Sequence, residues 1–303
     1  MVLRAVLAVL RRLAFVPLSA GTVSIVVFSG MHAKKGDPCL VERAVSSGFH
    51  ANCVRQLGLD RSLAEQYVAW LRLTVGGVVS PVLAGQAATS AWLGLWALTL
   101  AIGVGIGVGA YSAANQNSWR DAVINVGSTV VMSTPNFVAG TVLVLLTVTG
   151  FYAWTGGHFY ESIGWGKPEQ VPIPALALGL PPAALVARHV RGSLLDVMRL
   201  DYVTAARAKG LPERLILYRH ALRNALIPVM GLLGPIATSV ITGSVVIEYI
   251  FGIPGLGKAL VGGLLSYNYL LPVTVMTYYA LLIGVANSLS DLAYTILDPR
   301  IRL

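Results

Sequence analysis

The chain has 303 residues, 55% hydrophobic and only 12% charged, with a formal net charge of +9 and a mean hydropathy of +0.71. That balance excludes an ordinary soluble domain and reads as an all-α polytopic membrane protein. So basic a soluble chain would suggest nucleic acid, but here the cations gather in one loop rather than among exposed aromatics, and positive-inside topology accounts for them.

Arg4, Arg11 and Arg12 precede an apolar run from Leu13 to about Met31, close to the roughly 20 residues a helix needs to cross the hydrocarbon. We read residues 1–31 as a tail and a retained first span, because the run is too long and wrongly flanked for a cleaved signal. A mixed loop, 32–89, follows. It holds Gly36-Asp37-Pro38, Leu57-Gly58-Leu59-Asp60, and the two cysteines, Cys39 and Cys53. No CxxC pair and no clustering of the five histidines point to a metal, and none is expected.

The remainder, 90–303, reads as a core with five more spans. The second, Trp92 to Ala110, carries Gly103, Gly105, Gly107 and Gly109, small residues four apart that let helices approach closely in lipid. The third is expected from Val126 to Val148, with Ser133-Thr134-Pro135-Asn136-Phe137 as a polar kink inside it. The fourth, Pro172 to Ala187, is short and broken by Pro174, Pro181 and Pro182. The fifth runs from Leu226 to Ile247 and the sixth from Leu271 to Ile296.

Between spans four and five, about 188–225, lies a basic cytoplasmic loop with Arg188, Arg191, Arg199, Arg207, Lys209, Arg214, Arg219 and Arg223. Within it, Asp201–Pro228 reads as two helices separated at Gly210, a natural stop, with Pro212 at the start of the second. Leu215, Tyr218, Leu222 and Leu226 recur at helical spacing, opposite Arg214, Arg219, His220, Arg223 and Asn224. Periodicity alone suits either a helix on the lipid surface or an element that docks a protein. Cations by side place both termini in the cytoplasm, since the short outer loops carry only Lys167 and Lys258.

Ala205-Ala206-Arg207-Ala208-Lys209-Gly210 and Arg219-His220-Ala221-Leu222-Arg223-Asn224-Ala225-Leu226-Ile227-Pro228 resemble the cytoplasmic coupling loop of ABC-importer permeases, specifically the peptide-permease branch. Thr204 stands where other branches carry a Glu, which removes any Glu-mediated salt bridge there. Ser244-Val-Val-Ile-Glu248 through Gly257, with the tail Leu289 to Arg300, resembles the C-terminal signature of dipeptide and oligopeptide permeases. Tyr267-Asn268-Tyr269-Leu270 departs from it.

The resemblance implies a type I ABC importer transmembrane domain with six spans in a prokaryotic cell membrane. It also implies a second homologous permease subunit, two ATP-binding subunits that hold ATP and Mg, and an extracytoplasmic peptide-binding protein. Thr204, Ala205, Ala206, Arg207, Lys209, Gly210 and Leu211 would couple to the ATPase. No catalytic residue and no cofactor are expected in this chain.

Three further readings come from the residues themselves. Asn136, Thr238, Ser239, Thr242 and Asn287 are candidate translocation-path groups, because uncharged polar side chains solvate varied peptide backbones; helix–helix hydrogen bonds are the other use for them. Cys39 and Cys53, together in an oxidising loop, are expected to form a disulfide, the alternative being two free buried thiols. Gly252-Ile-Pro-Gly-Leu-Gly257-Lys258 fits G-x-x-x-x-G-K but lacks the following Ser/Thr and the preceding strand, so it is not read as a phosphate loop. An ion-coupled secondary transporter is the alternative function; it would normally carry paired repeats and ionisable groups at mid-membrane, whereas Glu248 and Asp291 lie towards span ends.

Overall fold

The computed structural model describes residues 2–33, 39, 47–75, 81–156, 162–266 and 268–297, among which every long regular element is a helix. In order they are α1 Val2–Ala33, α2 Ser47–Leu57, α3 Leu63–Val75, α4 Pro81–Ala114, α5 Trp119–Ser133, α6 Asn136–Thr155, α7 Pro172–Val197, α8 Asp201–Ala208, α9 Glu213–Leu215, α10 Leu222–Met230, α11 Leu233–Ile250, α12 Leu256–Leu265 and α13 Leu270–Leu297. Among the described residues six helices, parts of α1, α4, α6, α7, α11 and α13, are long and apolar enough to cross a membrane. The chain is a multi-pass membrane protein.

The centre of the bundle is the seam between α4 and α7. A Cβ built on Gly105 would fall 2.6 Å from Val186 Cβ, and one on Gly109 would fall 2.8 Å from Val190 Cβ, so these positions admit no side chain. Gly103 and Gly107, on the other faces of α4, meet nothing within 4 Å. Small residues thus bring two backbones together on one side only. α1 packs along α13, with Val16 against Gly284.

Several expected boundaries move, each for a local reason. The third span is two helices: Thr134 is extended (φ −85°, ψ 122°) because the ring of Pro135 disfavours the helical region for its predecessor, and the membrane-length piece is α6. α7 instead runs unbroken through Pro181 and Pro182 to Val197, its buried face packed on α4, so Arg188, His189 and Arg191 are helical rather than loop residues. The fifth span divides at Gly231-Leu232 into α10 and α11. Pro235, in the first turn of α11, cannot bond back to Gly231. The boundary drawn at 89/90 falls inside α4.

α2 and α3 form a small helical pair over the ends of α1 and α13. Trp70 is buried there and donates its indole N–H to Thr274 Oγ1 at 2.9 Å, and Tyr67 shares a 2.7 Å hydroxyl contact with Ser24. The Sγ atoms of Cys39 and Cys53 are 2.08 Å apart.

Candidate functional site

The basic end of the bundle is built from the C-terminal ends of α4 and α7, the start of α5, and the corner α8–α9–α10. α8 buries Val203 and Ala206, which pack on Ile216 with Met198 and Leu211 alongside, and leaves Tyr202, Ala205 and Ala208 exposed. Leu217, Ala221 and Ala225 then pack on Ala110, Ala113 and Leu194, which fixes the corner to α4 and α7. The corner is therefore a rigid extension of the central seam.

Its turn is made by Gly210, at φ +77°. The Gly210 N–H bonds to Arg207 O at 2.9 Å and the Leu211 N–H reaches Ala206 O at 3.4 Å, the pairing of a left-handed helix stop. Arg207 forks onto Glu213 across the turn, Nε to Oε1 at 2.7 Å and Nη2 to Oε2 at 3.4 Å. Both side chains are exposed, so this pair adds well under about 1 kcal/mol and chiefly orients the turn.

The second helix of the corner does not have the faces that simple periodicity gives it. Ile216–Ala221 is a π-turn, and the extra residue per turn rotates everything after it. Ile216 and Leu217 are buried, while Tyr218, read as part of the apolar face, is 54% exposed. Arg214, Arg219, Arg223 and Asn224 are exposed; Asn224 donates to the Tyr202 hydroxyl at 2.8 Å, tying α10 to α8.

Of the coupling candidates, Thr204, Ala205, Arg207, Lys209 and Gly210 lie together on the exposed side, whereas Ala206 is buried and Leu211 half-buried against the corner's core. The path candidates do not gather in one place. Ser239 and Thr242 share an exposed face of α11 with Pro235, Val246 and Tyr249. The Thr238 hydroxyl is buried. Asn136 lies against Gly243, its Nδ2 2.7 Å from where a Cβ would sit, and Asn287 lies likewise against Gly234 at 2.6 Å, both in helix contacts with α11.

A group that sequence reasoning missed underlies the corner. Asp121 is 4% exposed and accepts from Arg191 Nε and Nη2 at 2.7 Å each, from Ser112 Oγ at 2.6 Å, from Asn125 Nδ2 at 2.8 Å and from the Asn117 N–H at 3.1 Å. The Arg191 bonds, against an opposing cost of burial and helped by Ser112 and Asn117, hold the Asp121 carboxyl well below the usual carboxylate range. No local signal marks the pair: Asp121 opens α5 and Arg191 lies 70 positions on, in α7. Arg188 on the same helix donates to Thr129 Oγ1 at 2.7 Å, so two cations counted as loop charge instead join α7 to α5.

At the opposite end, backbone N–H groups of the G-x-x-x-x-G-K stretch are taken by side chains of the same chain. Glu248 is fully buried and accepts from the Gly257 N–H at 2.7 Å, and Ser90 Oγ accepts from the Leu256 N–H at 2.9 Å. The first N–H groups of α12 are thus satisfied within the chain. Among the described residues no three His, Cys, Asp or Glu side chains gather as a metal site.

Residues 105–303 match the family described as binding-protein-dependent transport system inner membrane component. The chain is also 33% identical over 289 residues to the oligopeptide transport system permease protein OppB of Salmonella typhimurium, covering 91% of this chain and 92% of that one. It is 31% identical over 292 residues to the dipeptide transport system permease protein DppB of Bacillus subtilis, with 93% of each covered. Against DppB of Lactococcus lactis the identity is 33% over 257 residues, 81% of this chain and 83% of that protein. The chain therefore belongs to the binding-protein-dependent transport system inner membrane components, the non-catalytic permease subunits of ABC importers with a type I transmembrane domain.

Proposed function

We propose that this chain carries peptides across a prokaryotic cell membrane as one of two permease subunits, driven by two ATP-binding subunits and supplied by an extracytoplasmic peptide-binding protein. Both termini and the corner α8–α10 face the cytoplasm; the segment between α1 and α4 faces out, and the core from α4 onward forms the path with its partner. ATP and Mg are held by the ATP-binding subunits, and this chain converts their closure into alternating access. The observation that carries the reading is the corner itself: an exposed strip, Thr204, Ala205, Arg207, Lys209 and Gly210, on a two-helix element packed into the α4–α7 seam. Such a strip suits a cleft on another protein better than lipid, because its exposed side chains are short, polar or charged and offer no bulky apolar face to a bilayer.

Ser239 and Thr242, on the exposed face of α11, are the path residues this arrangement favours; Asn136, Thr238 and Asn287 would reach the path only if helix contacts with α11 open. The Cys39–Cys53 bond would hold the outer segment together in an oxidising compartment. The test is co-purification of the tagged chain with ATP-binding subunits co-expressed with it, followed by ATP-driven peptide uptake in proteoliposomes. A chain that purifies alone and moves no peptide would refute the reading.

A further inference from the structure

The α2–α3 pair and the turn between α12 and α13 enclose a cleft of about 410 Å³, within the size range of small-ligand sites. Its lining mixes two chemistries: Arg55 and Arg61 bring positive charge, while Trp70, whose indole N–H is already given to Thr274, brings an aromatic and aliphatic surface with Leu73 and Tyr269; Ser266 and Asn268 add polar groups. Gln66 also lines it, its side chain donating to Arg61 O at 2.9 Å.

The arginines stand on rigid backbone. Gly58, at φ +65°, ends α2 with its N–H on Arg55 O at 3.2 Å and the Leu59 N–H on Val54 O at 2.9 Å. A Cβ on Gly58 would be 3.7 Å from Arg61 Nε, so Arg61 folds back across this turn. Cys53, one residue before Val54, is joined to Cys39. Asp60 and Glu65, neighbours in the chain, do not line the cleft. Arg61 lies within Coulombic reach of Glu65, but the Glu65 carboxylate is committed to the N–H and hydroxyl of Ser62 at 3.0 and 2.9 Å.

Two planar cations beside an aromatic and aliphatic wall match a carboxylate carried next to an apolar side chain. We propose that this cleft binds the C-terminal residue of a short peptide, its carboxylate on Arg55 and Arg61 and its side chain on Trp70, Leu73 and Tyr269. It is an outer subsite, on helices apart from the exposed face of α11. The inference rests on the peptide-permease reading for the nature of the ligand.

The test is calorimetric titration of the assembled transporter, without its binding protein, with Ala-Ala-Leu and with the C-terminal amide of the same peptide. The free acid is expected to bind saturably, and the amide about tenfold or more weakly, as loss of charge-assisted hydrogen bonds implies. The Arg55→Gln/Arg61→Gln variant should bind the acid no better than the amide, while Arg55→Lys/Arg61→Lys keeps a preference for the acid. Both are surface changes, and an unaltered melting temperature verifies the fold. Equal binding of acid and amide, no binding at all, or a double variant that binds the acid normally would overturn the proposal. So would a double variant that loses only stimulation by the binding protein, since the cleft would then be a protein contact. ATP-driven uptake of the peptide without binding at the cleft would remove this subsite alone; absence of uptake for every peptide tried would remove the permease reading.

Discussion

Arg191 holds both oxygens of Asp121 in a planar fork, each N···O distance 2.7 Å, and so joins the first turn of α5 to the C-terminal half of α7. Asp121 is almost wholly buried, and removing the cation alone would leave an uncompensated charge there. Arg191→Met is expected to destabilise the protein by about 3 kcal/mol. Asp121→Asn/Arg191→Met should recover much of that loss, because both charges leave together. Thermal unfolding of the four corners of this cycle in detergent measures the coupling; additive single effects would show that the pair contributes nothing.

The same carboxylate gives a pH dependence with a definite sign. Its pKa is depressed in the folded protein, so its contribution is complete above the unfolded-state value of about 3.9 and is lost as pH falls towards the folded one. The gap in melting temperature between wild type and Asp121→Asn should be constant from pH 7 to about 5 and narrow below about pH 4. A gap that widens on acidification would contradict the assigned shift.

Gly210 separates a backbone effect from a packing effect, since a Cβ there meets nothing within 4 Å and only the positive φ opposes substitution. Gly210→Val is expected to cost about 1–2 kcal/mol and to misdirect α9, abolishing ATP-driven uptake while insertion and pairing of the permeases persist. Gly210→Asn, which tolerates the left-handed region, should retain transport. Wild-type uptake and ATPase stimulation by the valine variant would mean that the corner does not couple.

Lys209 is the cleaner charge probe, because Arg207 is already engaged by Glu213 and its reversal would disturb the turn as well. Lys209→Glu should weaken co-purification of the ATP-binding subunits by about tenfold, and more at low salt than at high. Equal recovery at every salt concentration would exclude a docking charge at this position.

The glycines of α4 divide by face. Gly109→Ala is expected to cost about 1–3 kcal/mol by forcing α4 from α7, whereas Gly107→Ala should be neutral or stabilising by up to about 1 kcal/mol. Melting temperatures of the two variants test this; equal effects would place the seam elsewhere.

What the sequence made legible was long-wavelength information. Apolar runs located α1, α4 and α13, and Gly210 announced its own turn, because a helix stop depends on one residue's φ. Tyr218 shows where such reading fails: its place on an apolar face assumed 3.6 residues per turn, and the π-turn at Ile216–Ala221 breaks that assumption without any mark in composition. Pro181 and Pro182 mislead in the opposite sense, since tertiary packing on α4 outweighs their local cost. Arg191 was counted as loop charge because its partner lies 70 positions away, and nothing in either neighbourhood records the pairing.

The interruption at Gly231-Leu232 gives the fifth span the shape of a crank. Below it, α10 belongs to the corner through Ala225 and to α7 through Val229; above it, α11 is tied to α12 by Glu248 and to α13 by the Gly234 N–H on Ser290 Oγ at 2.8 Å. Both segments nevertheless pack on the one continuous α7, α10 through Val229 and α11 through Ile236, so the break sets a bend between two seated segments rather than dividing the bundle in two.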